Sequence, residues 1–151
     1  MTPGNVSHDL VWQCIRNNSS FIVKRKDAGQ VVFSREPLNL LNKHSFKHSG
    51  LSNAKAIGVV AAPSGKGISL ITKNSFGKTG QKPCKTLNKI TFKQHKSSRK
   101  VALAIVNSTT RKRYRPDLRK AAVARTCAIL LSQKEKKAAK VKTVRGKKAQ
   151  Q

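Results

Sequence analysis

The sequence predicts a small α+β domain in which an antiparallel sheet of two β-hairpins packs with three helices and carries basic loops and a basic C-terminal tail. Two observations predict the sheet: runs of β-branched residues come in pairs, and each pair brackets a short turn-forming segment. A third predicts the helices, because apolar residues recur at helical spacing near both ends of the chain. With 151 residues, 37% of them hydrophobic, the chain is long enough for one domain with a modest core.

The N-terminal elements are a helix and the first hairpin. Ser7 is suited to be the N-cap of the helix, because its hydroxyl can accept a hydrogen bond from a free N–H of the first turn. The apolar residues that follow share one helical face: Leu10, Val11, Cys14 and Ile15. Strand-like runs over 21–26 and 31–34 then flank residues 27–30, whose Asp-Ala-Gly-Gln sequence is typical of a hairpin turn.

The second hairpin is predicted from the runs 55–61 and 67–73. Between them stands Pro63-Ser64-Gly65-Lys66-Gly67, in which proline and glycine favour a tight turn. A basic loop is predicted over 75–92, because this stretch combines several lysines with Gly77, Gly80 and Pro83 and has few residues to bury.

The C-terminal half predicts two helices, near 93–110 and 116–133. Pro116 stands where helices commonly begin, and Asp117 places a negative charge in the first turn. We therefore expect one domain over residues 1–133, β-rich over 1–74, looped over 75–92 and helical over 93–133. Residues 134–151 hold eight Lys and Arg and nothing apolar larger than Val, which predicts a basic RNA-binding tail.

The charge of the chain predicts a polyanionic partner. Thirty-three Lys and Arg oppose five Asp and Glu, a formal net charge of +28, and residues 37–116 contain seventeen Lys and Arg without one acid. Repulsion among so many positive charges opposes compaction of the chain unless phosphates or salt neutralise them. Zinc fingers, basic zippers and ribonucleoprotein aromatic motifs do not occur, and a small domain with long basic extensions is typical of proteins that bind folded RNA. A basic chromatin-binding protein is an alternative.

The sequence predicts no enzyme, metal site or cofactor. The five carboxylates are scattered, and Gly77-Lys78-Thr79 lacks the first glycine of a phosphate-binding loop. Cys14, Cys84 and Cys127 form no C-x-x-C pair and are predicted to be reduced and buried. The apolar runs are too short to cross a bilayer, and no secretion signal is recognisable at the N-terminus. We therefore expect an intracellular protein with neither a membrane nor a small-molecule partner.

Nine residues are predicted to bind RNA. Arginine can hold a phosphate through two parallel hydrogen bonds and can stack on bases, while lysine supplies a mobile positive charge. A tyrosine ring among such residues offers a face on which a base can stack. The candidates are Arg16, Lys24, Arg25, Lys43, Lys47, Arg111, Arg113, Tyr114 and Arg115.

Several blocks of the sequence resemble one family, the eukaryote-specific large-subunit ribosomal protein twenty-eight family. The blocks are residues 12–25 (WQCIRNNSSFIVKR), residues 36–40 and 42–51 (EPLNL and NKHSFKHSGL), and residues 114–122 with 129–134 (YRPDLRKAA and ILLSQK). They stand in the family's order and span about residues 8–134, so the combination is more specific than any single motif.

The resemblance implies a structural constituent of the large subunit of the cytosolic eukaryotic ribosome. Such a protein would bind and stabilise ribosomal RNA for translation, touch neighbouring large-subunit proteins and have no enzymatic activity. It would act on cytoplasmic ribosomes after nucleolar passage during assembly. A family of ribosome-assembly factors shares a related N-terminal domain and is the nearest alternative, but its members are longer and acidic towards the C-terminus.

Overall fold

The computed structural model describes residues 6–74, 85–93 and 97–135. This part of the chain forms three α-helices and five strands. In order, the elements are α1 (His8–Ile15), β1 (Ile22–Lys24), β2 (Val32–Ser34), β3 (Ile57–Ala61), β4 (Ile68–Lys73), β5 (Leu87–Phe92), α2 (Ser98–Ser108) and α3 (Arg119–Ser132). None of these helices is long and apolar enough to cross a membrane.

The strands of the described residues form two antiparallel sheets. In the first, β1 pairs with β2 so that Val23 lies opposite Phe33. In the second, β4 is central and pairs on one side with β3 and on the other with β5, which places Leu70 between Val59 and Ile90. The second sheet is the larger one and supplies the strands of the core.

The core lies between the second sheet and helices α2 and α3. Its main buried side chains are Ile57, Val59, Ile68, Leu70, Val101, Ile105, Ala122 and Leu130. Burial of a large aliphatic side chain of this kind stabilises a fold by about 1.5–3 kcal/mol. On the other side of β3, the chain passes so close to Gly58 that a Cβ there would lie 2.8 Å from the Leu38 side chain. A larger residue at position 58 would therefore require the end of the Leu38 side chain to move.

Two polar side chains fasten α3 to the second sheet. The Arg125 guanidinium donates to the carbonyls of Val59 (2.9 Å) and Leu40 (3.0 Å). The Gln133 amide both accepts from and donates to the backbone of Gly67, at 2.8 Å each way. Because one set of bonds lies at the middle of α3 and the other at its C-terminal cap, together they fix the direction in which α3 crosses the sheet.

Helix α1 packs differently, since none of its residues is buried. Ser7 is its N-cap, as predicted, and the Ser7 hydroxyl accepts a 3.2 Å hydrogen bond from the backbone N–H of Leu10. Leu10 itself is 57% exposed. The helix therefore lies on the surface and leaves much of its amphipathic face accessible.

The α+β class, the three helices and both hairpins are confirmed, but the prediction of a single sheet is wrong. The edge of β2 is occupied by residues 42–44 of the following segment, where the Ser34 N–H donates to Asn42 O (2.7 Å) and the His44 N–H donates to Val32 O (3.2 Å). An isolated bridge between Phe33 and Lys43 completes this pairing. The second hairpin consequently forms its own sheet.

A second correction concerns the predicted basic loop over 75–92, because residues 87–92 form strand β5. Most β5 side chains are exposed, and the strand is held by backbone pairing with β4. Its sequence therefore lacks the alternation of apolar and polar residues by which a half-buried strand is predicted. Residues 75–84 lie outside the described residues, as does the tail from residue 136 onwards. The division into a domain and a basic tail stays a prediction.

The predicted burial of the cysteines is also wrong where it can be assessed. Cys14 and Cys127 are free thiols on exposed helix positions. The helical spacing of Cys14 with Leu10 indicated a core face, but α1 has no buried face. Cys84 lies outside the described residues.

Candidate nucleic-acid interface

The joint between α2 and α3 carries four of the nine predicted residues, and these four differ in their exposure to solvent. Arg111 and Arg113 are exposed, whereas Tyr114 and Arg115 are partly buried. Arg113 and Arg115 both have left-handed backbone conformations, with φ of 56° and 49°. These turns on either side of Tyr114 direct its ring into the protein and separate the four neighbouring residues onto different sides.

Tyr114 is bound to the second sheet. Its hydroxyl donates to the carbonyl of Lys73 (2.5 Å) and accepts a hydrogen bond from the N–H of Ala56 (3.1 Å), and the ring packs against the core. Burial raises the pKa of the Tyr114 phenol, and the hydrogen bonds to the backbone partly oppose that rise. The phenol thus joins the start of β3 to the end of β4 and is well placed to stabilise the fold.

Arg115 is a clamp between segments. Its guanidinium donates to the carbonyls of Lys47 (2.7 Å) and Lys55 (2.8 Å) and forms a bidentate pair with Asp117 at 2.9–3.0 Å. Four of the five N–H donors that an arginine possesses are therefore engaged within the protein. Hydrogen bonding from Arg115 lowers the pKa of the Asp117 carboxyl below its ordinary value, against the effect of partial burial.

The long segment between the two sheets presents Lys43 and Lys47 on exposed positions and is organised from within by Glu36 and Lys73. The buried Glu36 carboxylate accepts from the Ser49 hydroxyl (2.9 Å) and from the backbone N–H of Leu51. The Lys73 ammonium donates to the carbonyls of Gly50 (3.0 Å) and Asn53 (2.9 Å). Burial lowers the pKa of Lys73, and the negative charge of Glu36 counteracts it.

Within this segment, His48 stands beside Lys47. Burial lowers the pKa of the His48 imidazole, and the charge of Lys47 lowers it further. The lowered pKa favours the neutral imidazole, so Lys47 is the main source of positive charge at this point.

The other candidate residues lie around α1 and the first sheet. Arg16, Lys24, Arg25 and Lys43 are all exposed there. The pairing of residues 42–44 with β2 brings His44 to α1, where a 2.7 Å hydrogen bond joins His44 Nε2 to the carbonyl of Arg16. The structure thus assembles a basic face from three segments that are distant in sequence.

An aromatic cluster accompanies this basic face. The ring of Trp12 lies 4.9 Å from that of His44 and 5.9 Å from that of Phe46, measured between centroids. Beside the cluster is a cleft of about 440 Å³ between α1 and the first sheet. It is lined by Trp12, Arg16, Asn17, Ile22, Lys24, Val32 and His44.

Sequence analysis found Arg16 and Lys24 but missed Trp12, Asn17 and His44 as members of a common site. The three missed residues belong to a helix, the turn after it and a distant loop, and only the tertiary fold brings the loop to the helix. The signal that could have drawn attention to the site is the single tryptophan of the chain, placed in a strongly basic protein.

No group of three or more His, Cys, Asp or Glu side chains that could hold a metal ion occurs among residues 6–74, 85–93 and 97–135. What the described surface offers instead is a cationic face with aromatic rings and an arginine-rich helix joint. These features define a class: small basic proteins suited to bind nucleic acid through phosphates and exposed bases.

Comparison with known proteins makes the class specific. The model of the ribosomal L28e protein family matches residues 10–132, and the chain therefore belongs to that family. It is 47% identical over 133 residues to the large ribosomal subunit protein eL28 of Schizosaccharomyces pombe, an alignment that covers 88% of this chain and 97% of the relative. It is 35% identical over 120 residues to the protein of the same name from Dictyostelium discoideum, which covers 80% and 83% of the two chains.

Proposed function

We propose that this chain is a structural constituent of the large subunit of the cytosolic eukaryotic ribosome, where it binds and stabilises ribosomal RNA for translation. Its similarity to large-subunit proteins over most of their length supports the assignment to that particle. The observation that carries the RNA-binding role is the exposed positive charge of Arg16, Lys24, Arg25 and Lys43 around α1 and the first sheet.

The mechanism is electrostatic and architectural. Each lysine or arginine that neutralises a phosphate releases condensed counterions, and this release drives binding without reading the base sequence. The internal bonds of Arg115, Glu36 and Lys73 hold the lysine-bearing segment in one shape before RNA binds, so less conformational entropy is lost on association. This role requires no cofactor, metal or catalytic group.

The nine predicted residues divide into two roles within this proposal. Arg16, Lys24, Arg25, Lys43, Lys47, Arg111 and Arg113 are exposed and would contact RNA directly. Tyr114 and Arg115 would act as positioning residues, because their polar atoms are bonded to the protein backbone. Their effect on RNA binding would pass through the segment that they hold.

A neighbouring large-subunit protein is the partner proposed for another face. Between α2 and α3 lies an apolar groove of about 590 Å³ whose lining includes Leu103, 58% exposed, and Val123. RNA phosphates gain nothing from such a surface, and two exposed cations that also line it, Arg119 and Lys120, favour a protein segment with apolar and acidic side chains. Lysine-reactive cross-linking of intact large subunits should join Lys120 to another protein, and cross-links only within this chain would contradict the assignment.

The cellular route follows from the same proposal: nucleolar passage during assembly and then residence on cytoplasmic ribosomes. The test is sucrose-gradient fractionation of a cell lysate with detection of the protein in every fraction, before and after magnesium is chelated. A ribosomal constituent should follow the large subunit through polysomes and remain with it when the subunits separate. Restriction to nuclear pre-ribosomal particles would indicate an assembly factor instead, and release from nuclei by DNase would indicate a chromatin protein.

A further inference from the structure

We infer that the cleft between α1 and the first sheet binds a single unstacked nucleotide of RNA, with the base inside the cleft and the phosphates at its rim. This inference rests on the proposed function and specifies the RNA feature that the basic face recognises. Single-stranded loops, bulges and ends are where RNA exposes bases that can leave the stack and enter a protein pocket.

The size and walls of the cleft suit a nucleobase. Its volume of about 440 Å³ falls within the range of about 300–1,000 Å³ that is typical of small-ligand pockets. Trp12 and His44 line it with aromatic rings, while Ile22 and Val32 from the first sheet contribute apolar side chains. A base can stack on an aromatic ring of this kind, and such stacking contributes about 1–3 kcal/mol per base.

The polar residues of the cleft match the remaining parts of a nucleotide. Asn17 is exposed there and carries both a hydrogen-bond donor and an acceptor, which is the pairing that a base edge offers. Arg16 and Lys24 place two positive charges at the same cleft, and none of the described residues that line it is acidic. Arg16 donates one hydrogen bond to Gln13 Oε1 (3.1 Å), which orients its guanidinium and leaves other donors available for a phosphate.

The cleft is preorganised by contacts that cross it. The bond between His44 Nε2 and the Arg16 carbonyl (2.7 Å) ties the loop to the end of α1. The pairing of Ser34 with Asn42 and of Val32 with His44 ties the same loop to β2. The Trp12 and His44 rings also contact each other, with centroids 4.9 Å apart and planes inclined by 38°, so each ring supports the other at the wall of the cleft. A base can therefore enter with little reordering of the protein.

Trp12 is the only tryptophan of the chain, so intrinsic tryptophan fluorescence reports on this cleft alone. The full-length protein is titrated at fixed ionic strength with pentaadenylate and with a pentamer of abasic ribose phosphates. Because both probes carry the same backbone charge, both bind the basic surface. We expect pentaadenylate to quench Trp12 in a saturable manner and the abasic pentamer to leave its fluorescence nearly unchanged. Equal quenching by the two probes, or quenching by neither, would overturn the inference.

A matched pair of variants tests the position of the base. Asn17 lines the cleft, whereas Asn18 is equally exposed but does not. Asn17→Ala should raise the pentaadenylate concentration needed for half-maximal quenching about 3- to 10-fold, which is the size expected when one hydrogen bond is removed. Asn18→Ala should leave this concentration as in the wild type. Equal effects of the two substitutions would contradict the proposed cleft.

Failure of this inference is distinguishable from failure of the proposed function. If the protein sediments with large subunits but Trp12 does not respond to a base, the ribosomal assignment stands and the cleft is not a nucleotide site. If Trp12 responds but the protein remains at the top of the gradient, the chain binds single-stranded RNA outside the ribosome and the ribosomal assignment falls.

Discussion

The helix joint at residues 111–115 and the face built by α1 and the first sheet have similar composition, since both combine basic residues with an aromatic residue. In the structure they differ. At the joint, the aromatic ring and one arginine are bonded to backbone carbonyls of other segments. On the α1 face, Arg16 and Lys24 are exposed and line an aromatic cleft. A cluster of charges therefore has to be traced to its partners before it is assigned to a ligand.

The largest expected effect comes from removing the charge of the α1 face. A variant with Arg16, Lys24, Arg25 and Lys43 all changed to alanine should bind RNA with a much shallower salt dependence. Each phosphate that the protein no longer neutralises reduces the slope of log affinity against log salt by about 0.9, so four phosphates account for a change of about 3–4. The measurement is a salt titration of binding to large-subunit RNA by filter retention.

The control for this variant exchanges lysine and arginine at the same four positions, which preserves the charge. It should retain nearly the whole slope. An unchanged slope in the alanine variant would mean that other surfaces bind the phosphates. Thermal unfolding of both variants should match the wild type closely, because these side chains are exposed.

Tyr114→Phe probes the other region of the comparison. Loss of the hydroxyl leaves the Lys73 carbonyl and the Ala56 N–H without this partner, so the free energy of unfolding should fall by about 1–3 kcal/mol. Urea denaturation measures this loss. The salt slope of RNA binding should stay unchanged, since replacing tyrosine with phenylalanine changes no positive charge. Full stability with weakened RNA binding would contradict the structural role of Tyr114.

Arg115→Lys and Arg113→Lys form the sharpest pair, because the same change is made two residues apart. Lysine at position 115 cannot reproduce the fork that holds Lys47, Lys55 and Asp117 together, and the free energy of unfolding should fall by about 1–2 kcal/mol. The same change at the exposed Arg113 should have a negligible effect on stability. Equal denaturation midpoints for the two variants would show that the clamp contributes little.

The smallest expected effect is the pH dependence of the Arg115–Asp117 pair. The pKa of Asp117 is lowered in the folded state from 3.8, so this carboxylate stabilises the fold above that pH and loses its contribution as pH falls through the folded pKa. Asp117→Asn should be slightly less stable than the wild type at neutral pH, and the difference should vanish in strong acid. Melting curves of the two proteins recorded against pH measure this convergence, and a stability difference that persists unchanged into strong acid would contradict it.

Separate substitutions at the helix joint are more informative than replacement of the whole joint. Changing all of residues 111–115 to alanine would remove exposed arginines and internal bonds together. Failure of such a variant to enter ribosomes would then reflect folding as much as RNA binding. Separating Arg111 and Arg113 from Tyr114 and Arg115 avoids that ambiguity.

Much of the fold was predictable because local patterns determine it. The Ser7 cap and the paired β-branched runs each predicted an element that the structure contains. The third strand of the second sheet was missed because β5 is held by backbone hydrogen bonds while most of its side chains are exposed. The single-sheet prediction was wrong because residues 42–44 cover the edge of β2, a long-range pairing with no local signature.

The candidate site was less predictable than the fold for a related reason. The sequence shows where charged residues lie along the chain, so Arg16 and Lys24 could be proposed from the sequence around them alone. Whether an arginine faces solvent or bonds to a carbonyl 68 residues away, as Arg115 does with Lys47, depends on the tertiary structure. The same holds for His44, which lies against the Trp12 ring of α1 and is bonded to the Arg16 carbonyl, 28 residues away.

Ultraviolet cross-linking of purified large subunits, followed by mass spectrometry of the nucleotide-bearing peptides of this chain, tests the contrast between the two regions most directly. Short-wavelength light joins bases to aromatic side chains that they touch. The account predicts nucleotide adducts on Trp12 or on the nearby segment 44–46, and none on Tyr114. Adducts on Tyr114 with none around Trp12 would contradict it, because RNA bases would then meet the helix joint rather than the α1 face.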